Sequence, residues 1–335
     1  MIVARAPGKL VALGEYAVLD GAPAVVLAVD RYVEATIEAN PDGSCRLVTR
    51  APEPAEVRFS PGQPSGSKLV DLVVAALGPP LAWRATIDSS ALFAGTLKLG
   101  LGSSAAALCA WAGALSAFAR GQGRASPDLD LAALIELHRA FQGGRGSGLD
   151  VAASLTGGAI TFSLAPSGMP QVGSVRLPNG VAFAGVFPGR SASTPELVAH
   201  YRAWRQDRPE QAAAMLGRLR GLAEAGCAAL RADDAAAWVE TFAAYGRGLQ
   251  DLGAAMGAEV VTAEHRQIGD EAGRFGVAYK VSGAGGGDLG LACAADADAL
   301  AAFTKSVKDR GFRVFNVSLA EHGLVVQPPS AGARP

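Results

Sequence analysis

The stretch KLGLGSSAAALCAWAGAL, which begins at Lys98, sets flexible glycines and two hydroxyls directly against a long apolar, helix-prone run. Gly100 and Gly102 permit positive φ and close approach of a ligand, and Ser103 or Ser104 is a natural N-cap for the run from Ala105 to Leu115. The first turn of such a helix directs unpaired N–H groups and the positive end of its macrodipole outward, which suits a phosphate. Taken alone, the stretch fits either a capped helix without a ligand or a phosphate site.

Three other stretches combine glycine with groups that handle anions. In APGKLVALGEYAVLDG, Lys9 follows a Pro-Gly pair expected to turn, and Glu15 and Tyr16 follow Gly14. In FQGGRGSGLDVAASLTGG, Gly143, Gly144, Gly146 and Gly148 surround Arg145 and Ser147 and deliver Asp150 to the start of a helix, where it is either a first-turn carboxylate or a working acid. In SGAGGGDLG, from Ser282, the glycines exceed what a tight hairpin needs, so the backbone there is expected to lie against a ligand. The chain has no GxxxxGK[ST] and no GxGxxG after a first strand with an acid downstream, which excludes a P-loop and a Rossmann dinucleotide site.

These turns need elements to carry them. IVARAPG, LVALGEYAVLDG and AVVLAVDRYVEATIEA read as strands broken by turns and make the opening third a β-rich layer. Clusters such as PDGS, APEPAE and SPGQPSGSK mark loops between Asn40 and Pro80, followed by the helical KLVDLVVAAL. Helical patterns follow over Ser103–Arg120, Asp128–Phe141 and Gly148–Leu155, then the strands AITFSL and VAFAGVF. From Thr194 to about Gly276 long Ala/Arg/Glu/Leu-rich helices take over, and the end reads strand, glycine-rich turn, strand, helix, strand. The composition shift places a domain boundary near residues 180–190, dividing the chain into 1–185 and 186–330.

The chain has 335 residues, long for one core; 50% are hydrophobic, 18% charged, and the net charge is -1. That composition is globular and implies no polyanionic partner, so no nucleic acid is expected. MIVARAPGKL has no basic n-region followed by an apolar h-region, and no eighteen-residue apolar run occurs, so a cytoplasmic enzyme or binder with no membrane association is expected. Cys45, Cys109, Cys227 and Cys293 form no CxxC pair and read as reduced, buried thiols. His138, His200, His265 and His322 lack metal-ligand spacing and read as surface or helix residues.

Three of the four stretches resemble, in order and kind, the three motifs of the GHMP kinase superfamily: APGKLVALGEYAVLDG, KLGLGSSAAA and KVSGAGGGDLGLA. The resemblance runs from Ala6 to about Gly323. GEY in place of GEH, GGRGSGLD without the proline of HGxPSGxD, Lys98 before GLGSSA, and Asp288 closing SGAGGGD are similar to the phosphomevalonate kinases. The resemblance implies an α/β (α+β) two-domain fold, ribosomal S5 domain 2-like at the N-terminus and ferredoxin-like at the C-terminus, with the site between them. It implies ATP-dependent conversion of 5-phosphomevalonate to 5-diphosphomevalonate in the mevalonate pathway of isoprenoid synthesis. Mevalonate kinase or another GHMP small-molecule kinase is the alternative, and a non-catalytic nucleotide-binding regulator a third.

By the same resemblance Lys9 and Asp150 are catalytic. Lys98, Gly100, Leu101, Gly102, Ser103, Ser104, Ala105 and Ala106 hold ATP, and Ser104 ligates Mg²⁺. Lys9, Tyr16, Arg145, Ser147, Gly148, Asp150, Lys280, Ser282, Gly283 and Ala284 bind the small-molecule substrate. Lys68 and the segment around Ser193 and Thr194 are further candidates to close over it. Where mevalonate kinases carry a second, glutamate metal ligand, the counterpart is taken as Gln142, so water-mediated coordination is expected. Either a monomer or a homodimer fits.

Overall fold

The computed structural model describes residues 1–77, 81–127, 130–144, 146–190 and 194–327; the side chains of 194 and 195 are not among those described. By contacts the chain forms two compact units, each discontinuous in sequence. Of the described residues, the first holds those of 1–9, 28–158 and 320–327, and the second those of 10–27 and 159–319. The division expected at residue 185 differs from this partition because two long strands, β1 (Ile2–Leu13) and β2 (Ala24–Ala39), each contribute to both units. No single cut in the chain separates them.

In the first unit β2 pairs antiparallel with β5 (Trp83–Asp88), Glu34 opposite Asp88 and Ala39 opposite Trp83. β3 (Cys45–Thr49) lies parallel to β5 and antiparallel to β4 (Ala55–Phe59). The short strands β6 (Phe93–Ala94) and β7 (Leu97–Lys98) form a small hairpin. The helices α1 (Lys68–Leu77), α2 (Ser103–Gly121), α3 (Leu131–Phe141) and α4 (Leu149–Thr156) pack together. α2 is buried on nearly every side, with Leu108, Cys109 and Trp111 fully enclosed, as a helix apolar all round its circumference must be. α3 begins where Asp130 accepts from the Ala133 amide, an N-cap within the expected segment; Asp128, its expected first residue, lies outside the described residues.

One sequence expectation fails in β1. The strand runs through Pro7–Gly8 without a turn. Gly8 is there because a Cβ would meet the Leu92 side chain at 2.5 Å and the Leu101 carbonyl at 2.8 Å; the missing side chain lets the strand lie against the loop before α2. The Lys9 amide then donates to the Leu101 carbonyl at 2.8 Å.

In the second unit β8 (Ala159–Leu164) pairs with Ala24–Leu27 of β2 and with β9 (Pro170–Val175). β10 (Ala182–Phe187) opens a four-stranded antiparallel sheet, followed by the helices α5 (Thr194–Asp207), α6 (Pro209–Ala232), α7 (Ala235–Met256) and α8 (Ala263–Arg274). β11 (Ala278–Val281), β12 (Gly290–Ala294), α9 (Ala297–Asp309) and β13 (Arg313–Asn316) complete it in the order β11-β12-β10-β13. With α8 and α9 this is the β-α-β-β-α-β arrangement. Its core joins Val186, Ala292, Ile268, Phe303 and Val307. The last strand, β14 (Val325–Gln327), returns to the first unit and pairs antiparallel with β1, Val3 opposite Gln327.

Candidate active site

The N-terminus of α2 is built around Lys9. Gly102, at φ +72°, is the N-cap, so neither Ser103 nor Ser104 caps the helix as expected; both lie in its first turn. No side chain caps that turn, which leaves its amides and the helix dipole facing outward. A Cβ on Gly102 would stand 3.0 Å from Lys9 Cγ and 3.1 Å from Cε, so the glycine makes room for the lysine stem. Lys9 is 9% exposed, and its ammonium donates to the Gly100 carbonyl at 3.4 Å. Lys98, at the end of β7, precedes this loop.

α4 starts the same way. Gly148, at φ +92°, is its N-cap without a capping side chain, and a Cβ there would strike Ile135 at 2.6 Å. Asp150 sits in the first turn, where its Oδ1 accepts the Val151 amide at 3.0 Å. Ser147 Oγ is within 3.4 Å of the Leu149 amide. Further along α4, Ser154 donates to the Pro7 carbonyl at 2.8 Å, which fastens the helix to the strand that carries Lys9.

His138 joins the two helix starts. It is 2% exposed on α3, with Nε2 3.0 Å from Ser104 Oγ and Nδ1 3.6 Å from Asp150 Oδ2. Of the expected surface or helix position, the helix is the one observed, and the residue is buried rather than at the surface. The available signal was its place on the apolar face of α3 with Leu134 and Ile135, where a polar residue must find buried partners. His265 is buried as well, its Nδ1 2.7 Å from the Tyr279 hydroxyl, while His200 and His322 are exposed.

The first and third motifs meet within the second unit, where Lys280, Ser282 and Tyr16 all have partners inside the protein. The Lys280 ammonium is fully buried and ion-paired with Glu15 Oε1, and it donates to the carbonyls of Val281 (2.8 Å) and Val11 (3.3 Å). It also lies 5.3 Å from the Phe242 ring centre. Burial pushes the Glu15 carboxyl above its ordinary range, opposed by Lys280. Ser282 is buried too; its hydroxyl accepts the Val11 amide at 2.8 Å and donates to the Val11 carbonyl at 3.1 Å. Tyr16, at φ +60°, donates to the Ala284 carbonyl at 2.6 Å and lies against Tyr201 with ring centres 5.2 Å apart. Burial and the Glu15 charge hold the Tyr16 phenol well above its ordinary range. The side chains of Lys280, Ser282 and Tyr16 therefore tie motif to motif. Gly283 completes this lattice by directing its amide at Glu15 Oε1, 3.4 Å away.

Arg145 and Ser193 lie outside the described residues, as does the Thr194 side chain. Lys68 donates to the Phe141 carbonyl at 2.8 Å, joining α1 to the end of α3. Gln142 directs Oε1 towards Gly146, where a Cβ would stand 2.8 Å from it. All four cysteines are buried free thiols. Among the described residues no three His, Cys, Asp or Glu side chains cluster as metal ligands, and no helix is long and apolar enough to cross a membrane.

A glycine-bordered, uncapped helix start holding a lysine stem, with a carboxylate at a second helix start, is the equipment of a phosphoryl-transfer enzyme. Residues 69–158 match the GHMP kinases N terminal domain, and a curated relative is 30% identical with 87% of this chain covered. The chain belongs to the GHMP kinase family, and the two-domain α/β fold expected from its motifs is the fold observed. That relative is a phosphomevalonate kinase of Streptomyces sp. (strain CL190), 89% of which is covered. A Listeria innocua protein of known structure superposes with a TM-score of 0.82 at 22% identity, covering 97% of this chain and 99% of that one. The Streptococcus pneumoniae phosphomevalonate kinase in complex with phosphomevalonate and AMPPNP superposes with a TM-score of 0.78 at 19% identity, covering 96% and 100%.

Proposed function

We propose that this chain is an ATP-dependent kinase that phosphorylates 5-phosphomevalonate to 5-diphosphomevalonate. The observation that carries the reading is the contact chain from Lys9, packed on Gly102, through Ser104 and His138 to Asp150. The 30% identity to a phosphomevalonate kinase supports the choice of acceptor.

Phosphoryl transfer asks a protein mainly for positioning and charge stabilisation. The stretch Gly100–Ala106 holds the nucleotide phosphates through amides and helix dipole, with Lys98 beside it. The acceptor is itself a phosphate, already anionic at neutral pH, so a strong general base is unnecessary. Lys9 neutralises the charge that accumulates between the two phosphates, and Asp150 balances and orients that lysine. Ser147 and Gly148, at the start of α4, border the acceptor. The donor set suits Mg²⁺, a hard cation that accepts few protein oxygens and retains its waters: Ser104 Oγ stands at an anion-binding helix start with one carboxylate in the neighbouring helix. When bound, Mg²⁺ supplies charge neutralisation to the nucleotide phosphates.

The test is ADP release with phosphomevalonate, mevalonate, galactose and homoserine offered separately. Turnover with phosphomevalonate is expected, and Lys9→Met or Asp150→Asn should lower it ~10²- to 10⁴-fold. Turnover with mevalonate alone would replace the reading by mevalonate kinase. ATP affinity without turnover on any acceptor would indicate a regulator.

A further inference from the structure

We infer that His138 is a positioning residue that fixes the Ser104 hydroxyl for cation binding, by a relay in which Ser104 O–H donates to His138 Nε2 while His138 Nδ1 faces the Asp150 carboxylate at charge-pair distance. The inference rests on the kinase reading above and adds to it a residue outside all three motifs.

The argument follows from donor and acceptor inventories. The Asp150 carboxylate stands 3.6 Å from Nδ1, beyond a hydrogen bond but near enough for its acceptor oxygens to favour the ring hydrogen on that nitrogen. A neutral imidazole protonated on Nδ1 presents Nε2 as an acceptor, and the one hydrogen Ser104 can donate is directed to it across 3.0 Å. The Ser104 proton then points into the protein, and the oxygen lone pairs are left for a cation at the mouth of α2. The opposite tautomer would place N–H against the serine lone pairs and a bare nitrogen lone pair against the carboxylate.

The ring is held for this task. His138 is 2% exposed and stacks on Phe141, with planes 17° apart and centres 6.3 Å apart. The sequence serine, histidine, aspartate is that of nucleophilic hydrolases. Here the serine lies in the first turn of the phosphate-facing helix, and the relay orients an oxygen without activating it for attack. Such outer-shell partners typically change metal affinity or activity by ~10–100-fold when removed.

The first measurement is the tautomer, read from long-range ¹H–¹⁵N correlations of the His138 ring in the metal-free protein. Nδ1–H with bare Nε2 is expected; the reverse tautomer or a doubly protonated ring overturns the proposal. The second is calorimetric binding of β,γ-imido-ATP with and without Mg²⁺. His138→Ala should leave metal-free nucleotide affinity within ~3-fold and raise the half-saturating Mg²⁺ concentration ~10-fold or more. His138→Gln, whose amide reaches the Nε2 position, should restore much of the Mg²⁺ response, and His138→Asn, whose amide reaches only the Nδ1 position, should not. Equal behaviour of Gln and Asn, or an Ala variant that loses metal-free and metal-dependent affinity alike, overturns it. A wild-type protein with the expected tautomer and Mg²⁺ response but no turnover on any acceptor supports the relay and refutes only the functional reading.

Discussion

Replacing Gly102 by alanine separates backbone strain from displacement of Lys9. The residue stands at φ +72°, where an L side chain is disfavoured by about 1–2 kcal/mol, partly offset by about 0.4–1 kcal/mol from the stiffer unfolded chain. Net destabilisation is therefore about 1 kcal/mol. The new methyl would also lie 3.0 Å from Lys9 Cγ and 3.1 Å from Cε, closer than carbon atoms ordinarily rest. The Lys9 backbone is held by its 2.8 Å bond to the Leu101 carbonyl, so the side chain yields and carries the ammonium with it. A misplacement of 1 Å can lower turnover ~10²-fold, so a shift of a few tenths of an ångström should lower kcat by roughly 4- to 10-fold. The assay compares ATP-dependent turnover and thermal midpoint of Gly102→Ala with Gly43→Ala, whose glycine has φ +78° and no atom within 4 Å of where a Cβ would stand. The two variants should melt within a few degrees of each other while only Gly102→Ala loses turnover. Equal turnover in both would refute the assignment of Gly102 as the support of Lys9.

Gly157→Ala should be far more damaging to the fold, by roughly 2–5 kcal/mol in chemical denaturation: at φ +76° its Cβ would stand 2.4 Å from the backbone of His322 and Gly323, which cannot rotate away. Lys280→Met strands the buried Glu15 carboxylate and should cost about 3–5 kcal/mol, whereas Glu15→Gln combined with Lys280→Met should recover much of that loss; additive losses in a double-mutant cycle would contradict the buried pair. His265 should make the protein acid-sensitive. Burial lowers its value from 6.5 to about 4, with the Asp288 backbone and Glu264 opposing and Arg190 assisting. Between those values the unfolded state holds a proton that the native state lacks, so stability rises with pH through the window, is complete above 6.5, and is reduced by about 3 kcal/mol at pH 4. Urea midpoints at pH 7.5 and 4 should show this loss in the wild type and a smaller one in His265→Gln.

Much of the secondary structure was legible locally. KLVDLVVAAL becomes α1 with the expected ends, and the run from Ser103 becomes α2, because apolar spacing of 3–4 residues commits a segment to one buried helical face wherever it docks. The final strand, turn, strand, helix, strand unit follows for the same reason. Gly102 and Gly148 were legible as backbone devices, since φ of +72° and +92° favours glycine over any other residue.

The partners of polar side chains were decided only in three dimensions. A lysine in a glycine-rich motif reads as an anion ligand, yet Lys280 pairs with Glu15, 265 residues away along the chain, and no local pattern encodes that meeting. Tyr16 and Ala284, 268 residues apart, are joined in the same way. His138 looked ordinary because the two groups it faces belong to other helices. The amino-acid sequence by itself determined which turns can approach a phosphate and which segments must bury a face, since both depend on steric and hydrophobic properties carried by neighbouring residues. Tertiary structure decided which charges are neutralised inside and which face outward, because electrostatic and hydrogen-bond energies depend on distances that only the packed chain sets.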